Sequence, residues 1–320
     1  MSHSNDIRNR GRRSFISDLP LLGLTAALIP GLVSASSSDS TAKRSHPGVP
    51  KTSADQLALY RKITASLIDG KETITTFSGI TYGVSNELSV RPLHGVDVAI
   101  FTRTMATESG SVRFMSNIVG VYSDLETNKV LDEWVNPYTG KRLKVWHQVN
   151  GPTNFELSPN QPMGGLLNAA TNSDSAGFQL PFSVTDQALV LSTHFATDRK
   201  NPMQPADWPL ESSGERLRTA EFNQWVVPLT ELADKDSTEL SYTGIWFSVR
   251  PWRPFMHMGS APGFLLTPKQ VSRCPSIDDV DPRILSFGKK NFPELLGAPK
   301  VWGDKYKTNW DYYKERNGGG

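Results

Sequence analysis

Cysteine is almost absent. The 320 residues hold one, Cys274, which excludes an intramolecular disulfide and any cysteine-cluster metal site. No signature flanks it in Ser272-Arg273-Cys274-Pro275, so it reads as a tolerated thiol rather than a nucleophile. Excess charge is lacking too. Lys and Arg number 34 against 32 Asp and Glu, and setting aside the segment to Ala35, with its four arginines and two aspartates, leaves the two signs equal. A balanced chain without a Lys/Arg-rich run has no electrostatic footprint for nucleic acid. The one apolar stretch, Leu19 to Val33, is interrupted by Pro20, Gly23, Pro30 and Gly31 and falls short of the roughly 20 residues a membrane span needs. No stable membrane insertion is expected. The Gly-x-Gly-x-x-Gly, Gly-x4-Gly-Lys-Ser/Thr and Gly-x-Ser-x-Gly signatures are missing, which disfavours nucleotide cofactors and the common hydrolase route. No His-x-His or His-x3-His pair occurs. A metal would require His147, His194 and His257 to converge with a carboxylate such as Glu221, so neither metal nor cofactor is expected.

What is present begins with an address. Arg12-Arg13-Ser14-Phe15-Ile16, the apolar stretch after it and the small residues of Val33-Ser34-Ala35 resemble a bacterial twin-arginine export signal. This predicts a signal peptide over residues 1–35, export by the twin-arginine machinery and a periplasmic protein. Residues 36–51 are polar, Pro/Gly-containing and aperiodic, which predicts a disordered linker. A single domain over 52–316 then follows.

Within that domain the spacing of Leu57, Tyr60, Ile63, Leu67 and Ile68 predicts a helix from Ser53 to Asp69, closed by Gly70. From Thr73 the apolar period becomes two. Phe77 to Val84, Val96 to Met105, Ala188 to Ala196, Glu221 to Leu229 and Leu240 to Val249 read as strands, and so does a three-stranded meander over Val112 to Asn154. No helical pattern separates successive strands, so the sheet is antiparallel. The fold class is therefore mainly β, an antiparallel β-barrel, lipocalin-like or related, with a packed N-terminal helix and a C-terminal helical or loop segment.

Candidate site residues come from the strand faces. Side chains alternate across a strand, so Tyr242, Trp246, Ser248 and Arg250 share one face, as do Glu221, Asn223 and Trp225. If the sheet closes, these mixed faces line a pocket with aromatic walls and a few polar groups. In the last meander strand, Leu143, Val145, His147 and Val149 share a face, and His147 serves there either as a packed structural residue or as an acid/base group tuned by apolar surroundings. His194 alternates with Val190, Ser192 and Ala196, while His94 stands in a Pro/Gly turn and is read as surface. Asn150 and Asn154 follow the His147 strand. The loop Arg250 to Gly263 brings Trp252 and His257 toward a barrel mouth.

Several pieces together resemble the bacterial and fungal domain-of-unknown-function family eighteen-thirty-eight, from about Gln56 to Glu315. They are Trp134-Val135-Asn136-Pro137-Tyr138-Thr139-Gly140-Lys141, Val145-Trp146-His147-Gln148-Val149-Asn150, Asn201-Pro202-Met203, Pro251-Trp252-Arg253-Pro254-Phe255-Met256-His257-Met258-Gly259 and Thr308-Asn309-Trp310-Asp311-Tyr312-Tyr313-Lys314. His257 departs from the Met-Met or Glu-Met pair of the family pattern. The resemblance implies one domain and carries no catalytic residue with it.

Two functions follow from the residues. One is an exported, cofactor-independent enzyme whose His147 is acid or base while Arg250 and Tyr242 steady an oxyanion, in an elimination, retro-aldol or isomerisation of an apolar, aromatic small molecule. The other is a lipocalin-like binding protein for a hydrophobic small molecule, without catalysis.

Overall fold

The structure is a computed structural model describing residues 46–163, 177–303 and 306–318. The expected signal peptide, residues 1–35, and most of the expected linker, residues 36–51, lie outside these residues. The described chain belongs to one compact unit, Ser45–Gly320. Its start precedes the expected boundary because His46 to Pro50 is seated on the body of the fold. There Gly48, at φ +86°, backs so closely onto the Leu232 carbonyl that a Cβ would stand 2.1 Å from it, and Pro50 is buried.

Helix α1 (Ser53–Thr64) opens with a capping box, in which the Thr52 hydroxyl accepts from Asp55 N–H and the Asp55 carboxylate accepts from Thr52 N–H. Both bonds satisfy amides that an uncapped first turn would leave orphaned. The helix stops short of Asp69 because Arg273 takes over the carbonyls of its last turn. One Arg273 nitrogen donates to Lys62, Ile63 and Ala65 oxygens at 2.9, 2.8 and 3.0 Å. Arg61 is buried at the same end and donates to Thr104 Oγ1 and Asp69 Oδ1.

Nine strands form one antiparallel sheet. In chain order they are β1 (Glu72–Val84), β2 (Val90–Ala106), β3 (Val112–Ser123), β6 (Gln148–Leu157), β7 (Phe182–Val184), β8 (Ala188–Lys200), β9 (Arg216–Pro228), β10 (Thr243–Arg250) and β11 (Phe264–Cys274). Across the sheet the order is β6-β3-β2-β1-β11-β10-β9-β8-β7, and the first and last strands are not hydrogen-bonded to each other. The result is a half-barrel of the expected antiparallel class. Helix α1 fills its interior between the two ends of the sheet: Tyr60 lies 5.8 Å from Phe114 of β3 and 6.0 Å from Trp225 of β9, ring centre to ring centre. Leu57, Ile63, Leu157, Leu189 and Leu191 complete that core.

The expected meander is interrupted. β4 (Glu133–Val135) and β5 (Arg142–Lys144) pair only with each other, and the chain leaves strand geometry at Val145-Trp146-His147 before re-entering the sheet as β6. The break lets β4 and β5 fold over one mouth of the half-barrel. Packed around that mouth are Trp134, Val145, Met203, Trp252, Phe255 and Met256, joined by Trp310 and Tyr313 from α4 (Asn309–Asn317). All five of the motif pieces therefore meet in one cluster. Outside, α3 (Pro282–Asn291) covers the convex face of β2 and β3 through Ile284, against Phe101, Val119, Val121 and Val149. A short helix α2 (Leu229–Ala233) follows β9. No helix among the described residues is long and apolar enough to cross a membrane.

Candidate functional site

Register decides which side chains face the interior. Trp225 lies opposite Gly244, Asn223 opposite Trp246 and Glu221 opposite Ser248; Trp246 in turn lies opposite Lys269 of β11. Directly opposed residues point to the same side of a sheet, so the mixed faces of β9 and β10 are the concave ones. The interior splits in two. Toward α1, Trp225 and Tyr242 belong to the aromatic core. Toward the capped mouth lies a polar cavity, lined by Trp246, Ser248, Arg250, Arg253, Lys269 and His94, with Tyr122 and Gln148 across from them.

Arg250 forms an ion pair with Glu221, whose other oxygen accepts from Trp246 Nε1 at 3.2 Å. Two cations flank the Trp246 ring, with the Arg250 guanidinium carbon 5.1 Å and Lys269 Nζ 4.7 Å from its centre, a geometry in which the ring quadrupole partly compensates their charge. Arg253 is buried, stands 4.7 Å over Trp310 and donates to Gln148 Oε1 at 2.8 Å. Its other terminal nitrogen, Arg250 Nε, Ser248 Oγ and His94 Nε2 are buried without a hydrogen-bond partner among the described residues. Buried polar groups without partners are costly, so the clustering of the Arg253, Arg250 and Ser248 donors here marks a place shaped for something that accepts hydrogen bonds.

Among the described residues Lys269 has no carboxylate in ion-pair contact. Desolvation first, then repulsion from Arg250 and Arg253, brings its pKa down to about 7. An amine in that state is about half neutral at pH 7, and its neutral form is able to take a proton or attack a carbonyl. Burial likewise drives His94 down to about 3. Its Nδ1 donates to Gly95 O at 3.3 Å, so Nε2 is a bare acceptor. The free volume is about 20 Å³, room for about one water-sized group; a ligand of several atoms must displace the Lys269 or Arg250 chain.

The histidines need the largest corrections. His147 faces the opposite way from the cavity: in β6 the inward residues are Gln148 and Asn150, opposite Gly120 and Ile118, so His147 and Val149 point to the convex side beneath α3. Phe287 packs edge-on to its ring at 4.7 Å, and its Nδ1 accepts from Tyr122 N–H at 3.1 Å. Desolvation lowers its pKa to about 4. His94, expected at the surface, is 1 % exposed, because β2 begins six residues earlier than the apolar run indicated and His94 continues the inward series of Val96 and Val98. His194 is exposed on the convex face beside Phe222. His257 sits at φ 50° in the capping loop, 3.5 Å from Glu211. These three histidines do not meet.

The remaining candidates hold the cap. Trp252 Nε1 donates to Ala261 O at 2.9 Å, Asn150 Oδ1 accepts from Asn309 N–H at 2.7 Å, and Asn154 faces away from the interior and donates to Gly303 O. Of the candidates, Arg250 and Trp246 line the cavity and Glu221 contacts both from beside it, whereas Tyr242, Trp225, Asn150, Asn154, Trp252, His147, His194 and His257 are not part of the cavity wall. Lys269 and Arg253 were missed. Lys269 had one signal, its place two residues from Thr267 and Val271 in a run of alternating character; Arg253 had only its place in the capping loop.

A search of curated proteins found no match to this chain. A family model described as "Protein of unknown function (DUF1838)" matches residues 70–317, a span that takes in every strand of the sheet, the capping loops and the whole cavity wall, and the chain therefore belongs to that family.

Proposed function

We propose that this protein is a cofactor-independent acid/base enzyme acting on a small molecule that carries a carboxylate or develops an oxyanion. The observation behind this reading is the Lys269 amine, which has no ion-pair partner among the described residues and stands in the cavity with two guanidiniums, one of them, Arg250, engaged by Glu221 beside the cavity. A neutral amine there can remove a proton from substrate carbon. Arg253 and Ser248, with hydrogen-bonding capacity to spare, would hold the negative charge that appears, in a site where few waters compete. Trp246 and Tyr122 supply the aromatic walls, so an isomerisation or elimination of an aromatic acid fits this reading. His147 is replaced as the base by Lys269, since its ring is committed elsewhere.

Binding without chemistry is the second reading. The small free volume favours it for a single compact anion, but the cationic lining gives little support to a purely hydrophobic ligand. The test is proton exchange in heavy water, followed by NMR, across a panel of small aromatic and aliphatic acids bearing a carbonyl. Exchange at the carbon next to the carbonyl, slowed about 10² to 10⁴-fold in Lys269→Met, supports the enzyme. Binding of the acids with no exchange would leave the binding protein.

We also propose export to the periplasm by the twin-arginine route, supported by Arg12 and Arg13. Replacing both with Lys should strand the protein in the cytoplasm, and undiminished export of that variant removes the proposal.

A further inference from the structure

We propose that Lys269 forms an imine with a small 2-oxo carboxylate, the carboxylate lying against Arg253 and Ser248. This deepens the acid/base reading and rests on it. Four buried or cavity-facing groups carry it together. Among the described residues Lys269 has neither a carboxylate nor a hydrogen-bond acceptor in contact, and its neighbour within the cavity is the face of Trp246, a wall suited to a flat conjugated group. Arg253 is 8 % exposed with one terminal nitrogen unpartnered, and Ser248 is 0 % exposed with its hydroxyl unpartnered. These donors match a planar carboxylate, and a carbonyl carbon attached directly to that carboxylate is the electrophile a neighbouring amine can reach. A simple carboxylate would meet the donors and leave the amine without a role; a simple ketone would do the reverse.

The step balances without a further reactant. The Lys269 nitrogen lone pair attacks the carbonyl carbon, the carbon–nitrogen bond forms, and the carbonyl oxygen takes the two amine protons and leaves as water. Protonation of the imine from solvent then gives an iminium, which withdraws electrons from the neighbouring carbon and acidifies its hydrogen. That proton passes to solvent, because His94, with a pKa of about 3, is too weak a base to hold it. With its pKa near 7, Lys269 would be neutral about 10³ times more often at pH 7 than an exposed lysine, so labelling at low ligand concentration should select it.

The experiment is borohydride trapping of the full chain with pyruvate or benzoylformate, followed by peptide mass mapping, with acetone and acetate as controls. The expected result is a reduced adduct confined to the peptide bearing Lys269, absent with acetone, suppressed by excess acetate and lost in Lys269→Met. Because wild-type mapping assigns the adduct by itself, the outcome does not depend on that variant folding. An adduct spread over surface lysines, or unchanged in Lys269→Met, overturns the proposal. If trapping fails while pyruvate still exchanges its methyl protons in a Lys269-dependent way, the imine is wrong and the acid/base reading stands; if pyruvate neither exchanges nor binds, both fall.

Discussion

A histidine's neighbours, more than its position in an apolar row, decide what it does. His147 accepts a backbone hydrogen bond and lies under Phe287, so its removal should be felt in stability and leave proton exchange unchanged. His147→Leu orphans the Tyr122 N–H and is expected to cost about 1–3 kcal/mol in urea denaturation. A variant of wild-type stability with lost exchange activity would reverse that assignment. The two low imidazoles also set an acid limit. Both His94 and His147 are held below the ordinary 6.5 by desolvation, so the unfolded chain binds protons that the folded one refuses. Their contribution is intact above pH 6.5 and is lost as the pH falls toward 4. Between pH 7 and pH 5 each should cost about 2 kcal/mol, and denaturation midpoints of the wild type and His147→Leu at the two pH values will show whether the variant loses about half of that slope.

At the level of elements, α1 and β6 carry the instructive contrast. The helix was announced by its apolar spacing and by Thr52-x-x-Asp55, a local signal that its neighbours cannot reverse. Thr52→Ala should lower stability by about 1 kcal/mol. Tyr60→Ala, which removes ring contacts to Phe114, Phe178 and Trp225 at once, should cost about 3–5 kcal/mol. A loss under 1 kcal/mol in calorimetry would mean that α1 does not hold the two ends of the sheet together. Where the helix ends was not local at all, because Arg273 comes from β11. β6 is the opposite case: Leu143, Val145, His147 and Val149 are all buried, yet Leu143 pairs with Trp134 in β4-β5 and Val145 packs at the capped mouth, while His147 and Val149 lie on the convex side beneath α3.

For the molecule as a whole, the two convex halves differ. The half made by β2 and β3 is covered by α3, and Phe101 there is 0 % exposed; on the half made by β8, β9 and β10, Phe222 and Ile245 are 49 % and 55 % exposed. Phe101→Ala should therefore cost about 3–5 kcal/mol, whereas Phe222→Ser should fall within about 0.5 kcal/mol of the wild type in the monomer. A large loss for Phe222→Ser would show that this face is covered in solution.

Period-two patterning, turn residues and the lack of intervening helices were enough to establish an antiparallel sheet, because alternation and local turns are properties of neighbouring residues. The same alternation identified the mixed face of β9 and β10, so Arg250, Trp246 and Glu221 were legible. Which face of β6 looks inward, that His94 is buried, that Lys269 and Arg253 share one cavity and that Tyr242 does not reach it were decided only by tertiary structure. These depend on strand register and on a capping loop from residues far apart in sequence, and a shift of one residue in register exchanges the inside of a half-barrel for its outside.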